Sequence, residues 1–252
     1  SHVVIYGDRE HFANIEYFSS YDCRFEEGLL IVGADGRKTV VVGNEGMGYS
    51  YQIPDEVDRV LYQNFSLQGQ PRDESGTLTE VFHDAGITAG AQVGVVGYKY
   101  FYPAYTANPK KLYDIPMYIM QELYEAVPEA QVVNFTEAVT GLPNGIRMKI
   151  HSLREIAWAE YTATKTAAVI LNLIANMQEG ITELELSRKG NIDFSPVSMF
   201  SLVNFGPQHL SLGLRSPDDT PLKVGEVCGL CYSLRGSLTS RTGVAARDEA
   251  SY

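Results

Sequence analysis

Cysteine is scarce in this chain of 252 residues. Cys23, Cys228 and Cys231 are too few and too unevenly spaced to make a disulfide scaffold. That usage fits a reducing compartment, where the glycosylation-like triplets at Asn64 and Asn134 are chance matches. Long apolar runs are missing too. No stretch approaches the roughly eighteen residues of a membrane span, and the opening SHVVIYGDREHF lacks the basic and apolar regions of a signal peptide. The expectation is a cytoplasmic protein with no membrane partner. Basic residues are the minority, 20 against 31 acidic, giving a formal net charge of −11 with no Lys/Arg cluster, which argues against nucleic acid as a partner. No G-x-S-x-G, H-E-x-x-H or P-loop motif occurs, so several common hydrolase and kinase readings lack support.

What is present is a core-forming composition, 44% hydrophobic, arranged in alternating elements. VVIY (3–6) predicts a strand, followed by Asp8 as an N-cap and a helix from Glu10 to Phe18. GLLIVGADGRKTVVVG predicts strands at 28–33 and 38–43 joined by a hairpin at Asp35-Gly36. The glycine-rich GNEGMG (43–48) reads as a loop, because no helical period follows it. Further on come a capped helix from Ser75 to Ala85, a strand at 92–97, a helix from Ile115 to Ala126 and a strand at 132–135. Alternation of this kind over 1–147 predicts an α/β domain.

From residue 148 the pattern changes to α+β. Ser152 and Glu155 form a capping box opening a helix that runs to about Met177. Its apolar positions Leu153, Ile156, Tyr161, Thr164, Ala168, Leu171 and Ile174 recur at three- and four-residue steps, predicting a buried face. Thr182 and Glu185 open a second capped helix. PVSMFSLVNFG, LSLGL and VGEVCGLCYSLRG then read as strands, with SPDDTP as a loop between the last two.

The pair Cys228/Cys231 has the spacing of a redox dithiol or half a zinc site, but it lies in a strand pattern with no following helix to lower a thiol pKa. Two buried strand cysteines are the default reading. His83 and His151 read as surface groups. His209, in NFGPQHLS at a strand end after a Gly-Pro turn, is either a proton-handling group or a rim histidine with no task.

Three landmarks carry a family resemblance: YGDREHFANIEYFSSYDCRFEEGLLIV (6–32), KIHSLREIAWAEYTATKTAAVILNLIANMQEGITELEL (149–186) and SPDDTPLKVGEV (216–227). In this order they resemble the creatinase, prolidase and aminopeptidase P group, the pita-bread family, with Glu226 in place of the family's Asp. The resemblance implies a creatinase-type N-terminal α/β domain (1–147) and a pita-bread-type α+β domain (148–252). That second domain is incomplete here, the family's remaining His and Glu positions falling beyond Tyr252. It also implies a homodimer in which Arg24 and Phe25 reach the partner's substrate pocket, and hydrolysis of a C–N bond.

Most members of that group hold two metal ions with two Asp, one His and two Glu, whereas creatinase is a metal-free branch in which a histidine handles protons. Here the first Asp position is Cys231, and the second is Leu238 or Thr242. A dinuclear metal site is therefore not expected, nor any cofactor. The family histidine falls near Leu214, and His209 matches it if the intervening loop is longer.

The resulting expectation is a metal-independent hydrolase of a small amide, amidine or peptide-like substrate, with His209 catalytic and Arg24 and Phe25 binding substrate. The alternatives are a non-catalytic homodimeric binding protein of the same fold and a conventional Xaa-Pro metallo-aminopeptidase or dipeptidase.

Overall fold

The computed structural model describes residues 1–192, 195–211 and 215–251. The chain divides into two compact units, Ser1–Lys149 and Ile150–Tyr252.

The first unit is built on a six-stranded sheet. Its strands are β1 (His2–Gly7), β2 (Gly28–Val32), β3 (Lys38–Val42), β4 (Val57–Leu61), β5 (Val93–Val96) and β6 (Val132–Asn134), in the order β4-β3-β2-β1-β5-β6. β2 runs antiparallel to β1 and β3, while β1, β5 and β6 are mutually parallel and β4 is parallel to β3. Because strand side chains alternate between faces, the apolar runs feed two cores. Val4, Tyr6, Leu29, Ile31 and Val41 face one cluster with α3 (Leu78–Asp84) and α4 (Met117–Ala126). Ile5, Leu30, Val40 and Val42 face another with α1 (Ala13–Ser19) and Val139 of α5 (Thr136–Thr140).

Several boundaries differ from the sequence reading. The first helix starts at Ala13 rather than Glu10, because the Asp8 carboxylate accepts the N–H groups of Glu10 and His11 and closes a turn before the helix. Thr77, not Ser75, caps α3, with Glu80 completing the box. β4 has no counterpart in the sequence reading; its alternation is broken by Asp58 and Arg59. GNEGMG is not a loop: Asn44–Ser50 form helix α2, whose first N–H, of Asn44, donates to Ser66 Oγ and whose next two are received by the buried Glu26 carboxylate, 3.3 Å from Glu45 N and 2.8 Å from Gly46 N. A carboxylate supplied from another part of the chain substitutes for the missing local cap.

The second unit contains α6 (Leu153–Ala175), α7 (Glu183–Ser187), β7 (Val197–Phe205), α8 (Pro207–Ser211), β8 (Val227–Leu234) and β9 (Ser237–Val244), with the strands in an antiparallel sheet ordered β7-β8-β9. Ser152 caps α6 through Glu155 N, and Thr182 with Glu185 forms the box that opens α7. The face of α6 that packs on the sheet is not the expected one. Leu153, Ile156, Tyr161, Thr164, Ala168, Leu171 and Ile174 are all exposed, whereas Thr162, Thr166, Val169, Ile170 and Leu173 are buried. Small and β-branched side chains let the sheet approach closely; Thr166 Oγ1 lies 2.7 Å from Thr239 Oγ1 on β9. Val169, Ile170 and Leu173 join Leu230, Tyr232, Leu234, Val203 and Phe205 in one core.

The segment expected as strand LSLGL also differs: Leu210 and Ser211 end helix α8, and 212–214, including the Leu214 position, lie outside the described residues. Among the described residues, no helix is long and apolar enough to cross a membrane.

Candidate functional site

The end of β7 organises the candidate site through three consecutive residues. Asn204, fully buried, donates its side-chain N–H to Arg215 O and accepts Arg215 N–H, both at 3.1 Å, so the backbone of Arg215 is clamped from both sides. Phe205 N–H donates to Glu183 Oε1 at 2.7 Å. Gly206, at φ 80°, turns the chain in a conformation that side-chain-bearing residues rarely adopt, and α8 follows with His209. His209 thus lies on a short helix rather than at a strand end.

Glu183 is the second organiser. It is the first residue of α7, and its carboxylate is 0% exposed. A buried carboxylate must be met by donors, and among the described residues four meet this one. Oε1 accepts Phe205 N–H and lies 2.9 Å from His209 Nδ1. Oε2 accepts Asp218 N–H at 3.1 Å and faces Arg215 Nη2 at 3.4 Å. A carboxylate that already accepts a backbone N–H can accept again from the ring, so the Glu183 contact favours the tautomer with the proton on His209 Nδ1 and Nε2 as the basic nitrogen.

The loop 216–221 is stitched to the start of α7 by Glu183 N–H to Thr220 O, Leu184 N–H to Asp218 O and a bridge between Thr182 and Pro221. Through this loop Asp218 reaches Arg215, with Oδ2 2.7 Å from Nη2. The hydroxyl and N–H of Thr220, and then Arg215, hold the Asp218 carboxyl well below the usual carboxylate range. Arg215 Nη2 also lies 2.8 Å from His209 Nδ1 and 3.0 Å from Nε2. The lone-pair directions of the two ring nitrogens diverge, so one donor cannot align with both, and the guanidinium rests against the ring.

Of the residues expected from sequence, His209 lies in this cluster, with its side chain 21% exposed. Arg24 and Phe25 belong to the first unit. Arg24 Nε pairs with Asp22 Oδ2 at 2.6 Å, and Phe25 is 66% exposed. Sequence reasoning missed Glu183, Arg215, Asp218 and Asn204. One signal was available: the first turn of α7 carries two acidic residues, Glu183 and Glu185, whereas the capping box uses only Glu185.

The residues at the resembled family's two Asp positions do not offer carboxylates to a metal. Cys231 is buried on β8 opposite Ser240, and burial pushes its thiol pKa up, which disfavours the thiolate a metal needs. Leu238 and Thr242, across from Ser233 and Gly229, supply no carboxylate. All three cysteines are free and buried.

No family model and no curated protein matches the sequence. Solved structures do match. Xaa-Pro dipeptidase from Bacillus anthracis matches with a TM-score of 0.62 at 13% identity, over 99% of this chain and 62% of that one. Prolidase from Pyrococcus furiosus matches at 0.63 and 15%, over 99% and 64%. X-Pro aminopeptidase from Thermotoga maritima matches at 0.61 and 13%, over 99% and 64%. The chain spans less than two thirds of the length of these structures. Identities this low speak for the fold alone, and on that ground the chain has the fold of the creatinase, prolidase and aminopeptidase P group that its three sequence landmarks resemble.

Proposed function

We propose that the chain belongs to a metal-independent hydrolase of a C–N bond in a small amide, amidine or peptide-like substrate, with His209 as the proton carrier. The observation that supports this most directly is the 2.9 Å contact between His209 Nδ1 and the buried Glu183 Oε1. It orients the ring and favours the tautomer with Nε2 basic, the arrangement a general base needs. In the proposed reaction His209 Nε2 takes a proton from water, the resulting hydroxide adds to the substrate carbon, the C–N bond breaks, and His209 returns the proton to the departing nitrogen. Glu183 orients the ring and balances its transient positive charge, acting as a positioning residue.

The substrate class follows the fold-sharing proteins named as dipeptidase, prolidase and aminopeptidase, and the metal-free assignment follows Cys231 and Leu238/Thr242 standing at the ligand positions. A homodimer in which Arg24 and Phe25 reach the partner's substrate pocket belongs to the same reading; the exposed Phe25 ring suits it.

The test is a screen of Xaa-Pro dipeptides, small amides and amidines with chelator and then with added divalent ions. Turnover should survive the chelator, and His209→Ala should lower kcat by about 10²–10⁴. Activity that appears only with added metal would defeat the metal-free reading. A second reading, a binding protein that does no chemistry, is favoured by the 3.0 Å approach of Arg215 Nη2 to His209 Nε2, which sets a cation beside the basic nitrogen. It expects His209→Ala to leave ligand affinity intact.

A further inference from the structure

Glu183, His209 and Asp218 each offer one ligating atom, and these atoms lie within 4.8 Å of one another. Two carboxylates and an imidazole are a donor set suited to a divalent transition ion. Their meeting point is taken. Arg215 Nη2 stands 2.7 Å from Asp218 Oδ2, 3.4 Å from Glu183 Oε2 and 2.8 Å from His209 Nδ1, so a single cationic nitrogen touches all three residues.

Two further observations separate this from an arginine resting on a surface. Glu183 is wholly buried, so a cation beside it offsets part of the cost of holding its charge away from water. Asn204, also wholly buried, spends both ends of its amide on the backbone of Arg215, which fixes where that side chain starts. Asn204 thus anchors the Arg215 backbone, and the contacts with Asp218 and Glu183 hold the guanidinium at the cluster.

We propose that Arg215 is the resident cation of a site built for a divalent metal ion, and that its guanidinium keeps that ion out. Entry of a metal would have to displace Nη2 from three partners and leave the arginine unpaired, so the cluster is closed to metal by its own sequence. This site is separate from the Cys231 and Leu238/Thr242 positions, and the inference does not depend on any reaction at His209.

Removing the guanidinium should open the site. The full chain is titrated with Mn²⁺ by calorimetry as wild type, R215M and R215M/H209A, with folding checked by circular dichroism. R215M should bind one equivalent at least about tenfold more tightly than wild type, and the added H209A should return affinity toward the wild-type value. Equal binding by wild type and R215M, or binding by R215M that ignores His209, overturns the proposal.

Loss of the arginine also leaves Glu183 without its cation, so R215M is expected to melt earlier than wild type and to be restored by Mn²⁺. An R215M chain that folds neither alone nor with Mn²⁺ overturns the proposal, as does a wild-type melting temperature that rises with Mn²⁺. Turnover is a separate measurement, so loss of activity in His209→Ala leaves this result untouched.

Discussion

Glu26 in the first unit and Glu183 in the second are both buried carboxylates, and their partners differ in kind. Glu26 is met by the backbone N–H groups of Glu45 and Gly46 at the start of α2. The approach depends on Gly46, where an added Cβ would lie 2.5 Å from the Tyr21 hydroxyl and 2.9 Å from Val42 Cβ. Glu183 is met by two backbone N–H groups as well, from Phe205 and Asp218, but also by His209 and Arg215. Backbone amides cannot exchange protons usefully or swing away, so Glu26 can only hold a helix in place. An imidazole can exchange protons and a guanidinium can swing away, and the same burial that makes Glu26 structural makes Glu183 a device for orienting chemistry. A buried carboxylate is therefore informative about function only when its partners are themselves ionisable.

The sharpest way to break the comparison is to neutralise each carboxylate without changing its shape. Glu183→Gln puts an NH₂ against one of two backbone donors and takes one of two carboxylates from Arg215, which keeps Asp218, at an expected cost of about 3 kcal/mol in urea unfolding. Glu26→Gln suffers only the first of these losses, about 1–3 kcal/mol. The ring signals of His209, compared by NMR at a single pH, should move in Glu183→Gln and stay unchanged in Glu26→Gln. Equal behaviour of the two variants would mean that Glu183 is another structural cap.

A smaller effect concerns exposed carboxylates in the two units. Glu80 and Glu185 accept N–H and hydroxyl hydrogen bonds from Thr77 and Thr182, which hold both below the ordinary value of 4.5. A depressed carboxylate contributes fully above that value and loses its contribution as pH falls below it through the lowered pKa. Urea unfolding at a series of pH values should show stability declining below pH 4.5, with a shallower decline in Glu80→Gln/Glu185→Gln. An unchanged slope would show that the caps do not govern the acid limb.

The smallest effect is at Cys231. Cys231→Ser replaces a buried thiol by a hydroxyl opposite Ser240, so stability should fall by only about 1 kcal/mol and any turnover should persist. Metal bound at the Cys231 sulfur, detected by cobalt absorption, would contradict the account given of that position.

Much of the first unit was legible in the chain because each strand states its own pattern. VVIY and GLLIV are apolar on both faces, as a sheet covered on both sides requires, and Thr77 with Glu80 and Thr182 with Glu185 mark helix starts through bonds three residues apart. α2 was illegible because its cap, Glu26, comes from 20 residues upstream. α6 was legible as a helix and misleading as to its face. Leu and Ile at regular steps are more conspicuous than Thr162 and Thr166, yet it is the threonines that meet the sheet. The site was illegible except for His209. Its members are separated by 26 residues between Glu183 and His209 and by 32 between Glu183 and Arg215, and no local periodicity joins them.

The sequence by itself determined most strands of the first unit, the helices with local capping boxes, the likeness to a peptidase fold and the absence of carboxylates at Cys231 and Leu238/Thr242. These follow from interactions that reach a few residues along the chain or from the identity of single side chains. Only the tertiary structure decided that Glu183 is buried, that Asn204 clamps Arg215 and that a guanidinium stands among Glu183, His209 and Asp218. The physical reason is that burial and counter-charge belong to the folded chain: a carboxylate has no partner to choose until folding takes water away from it.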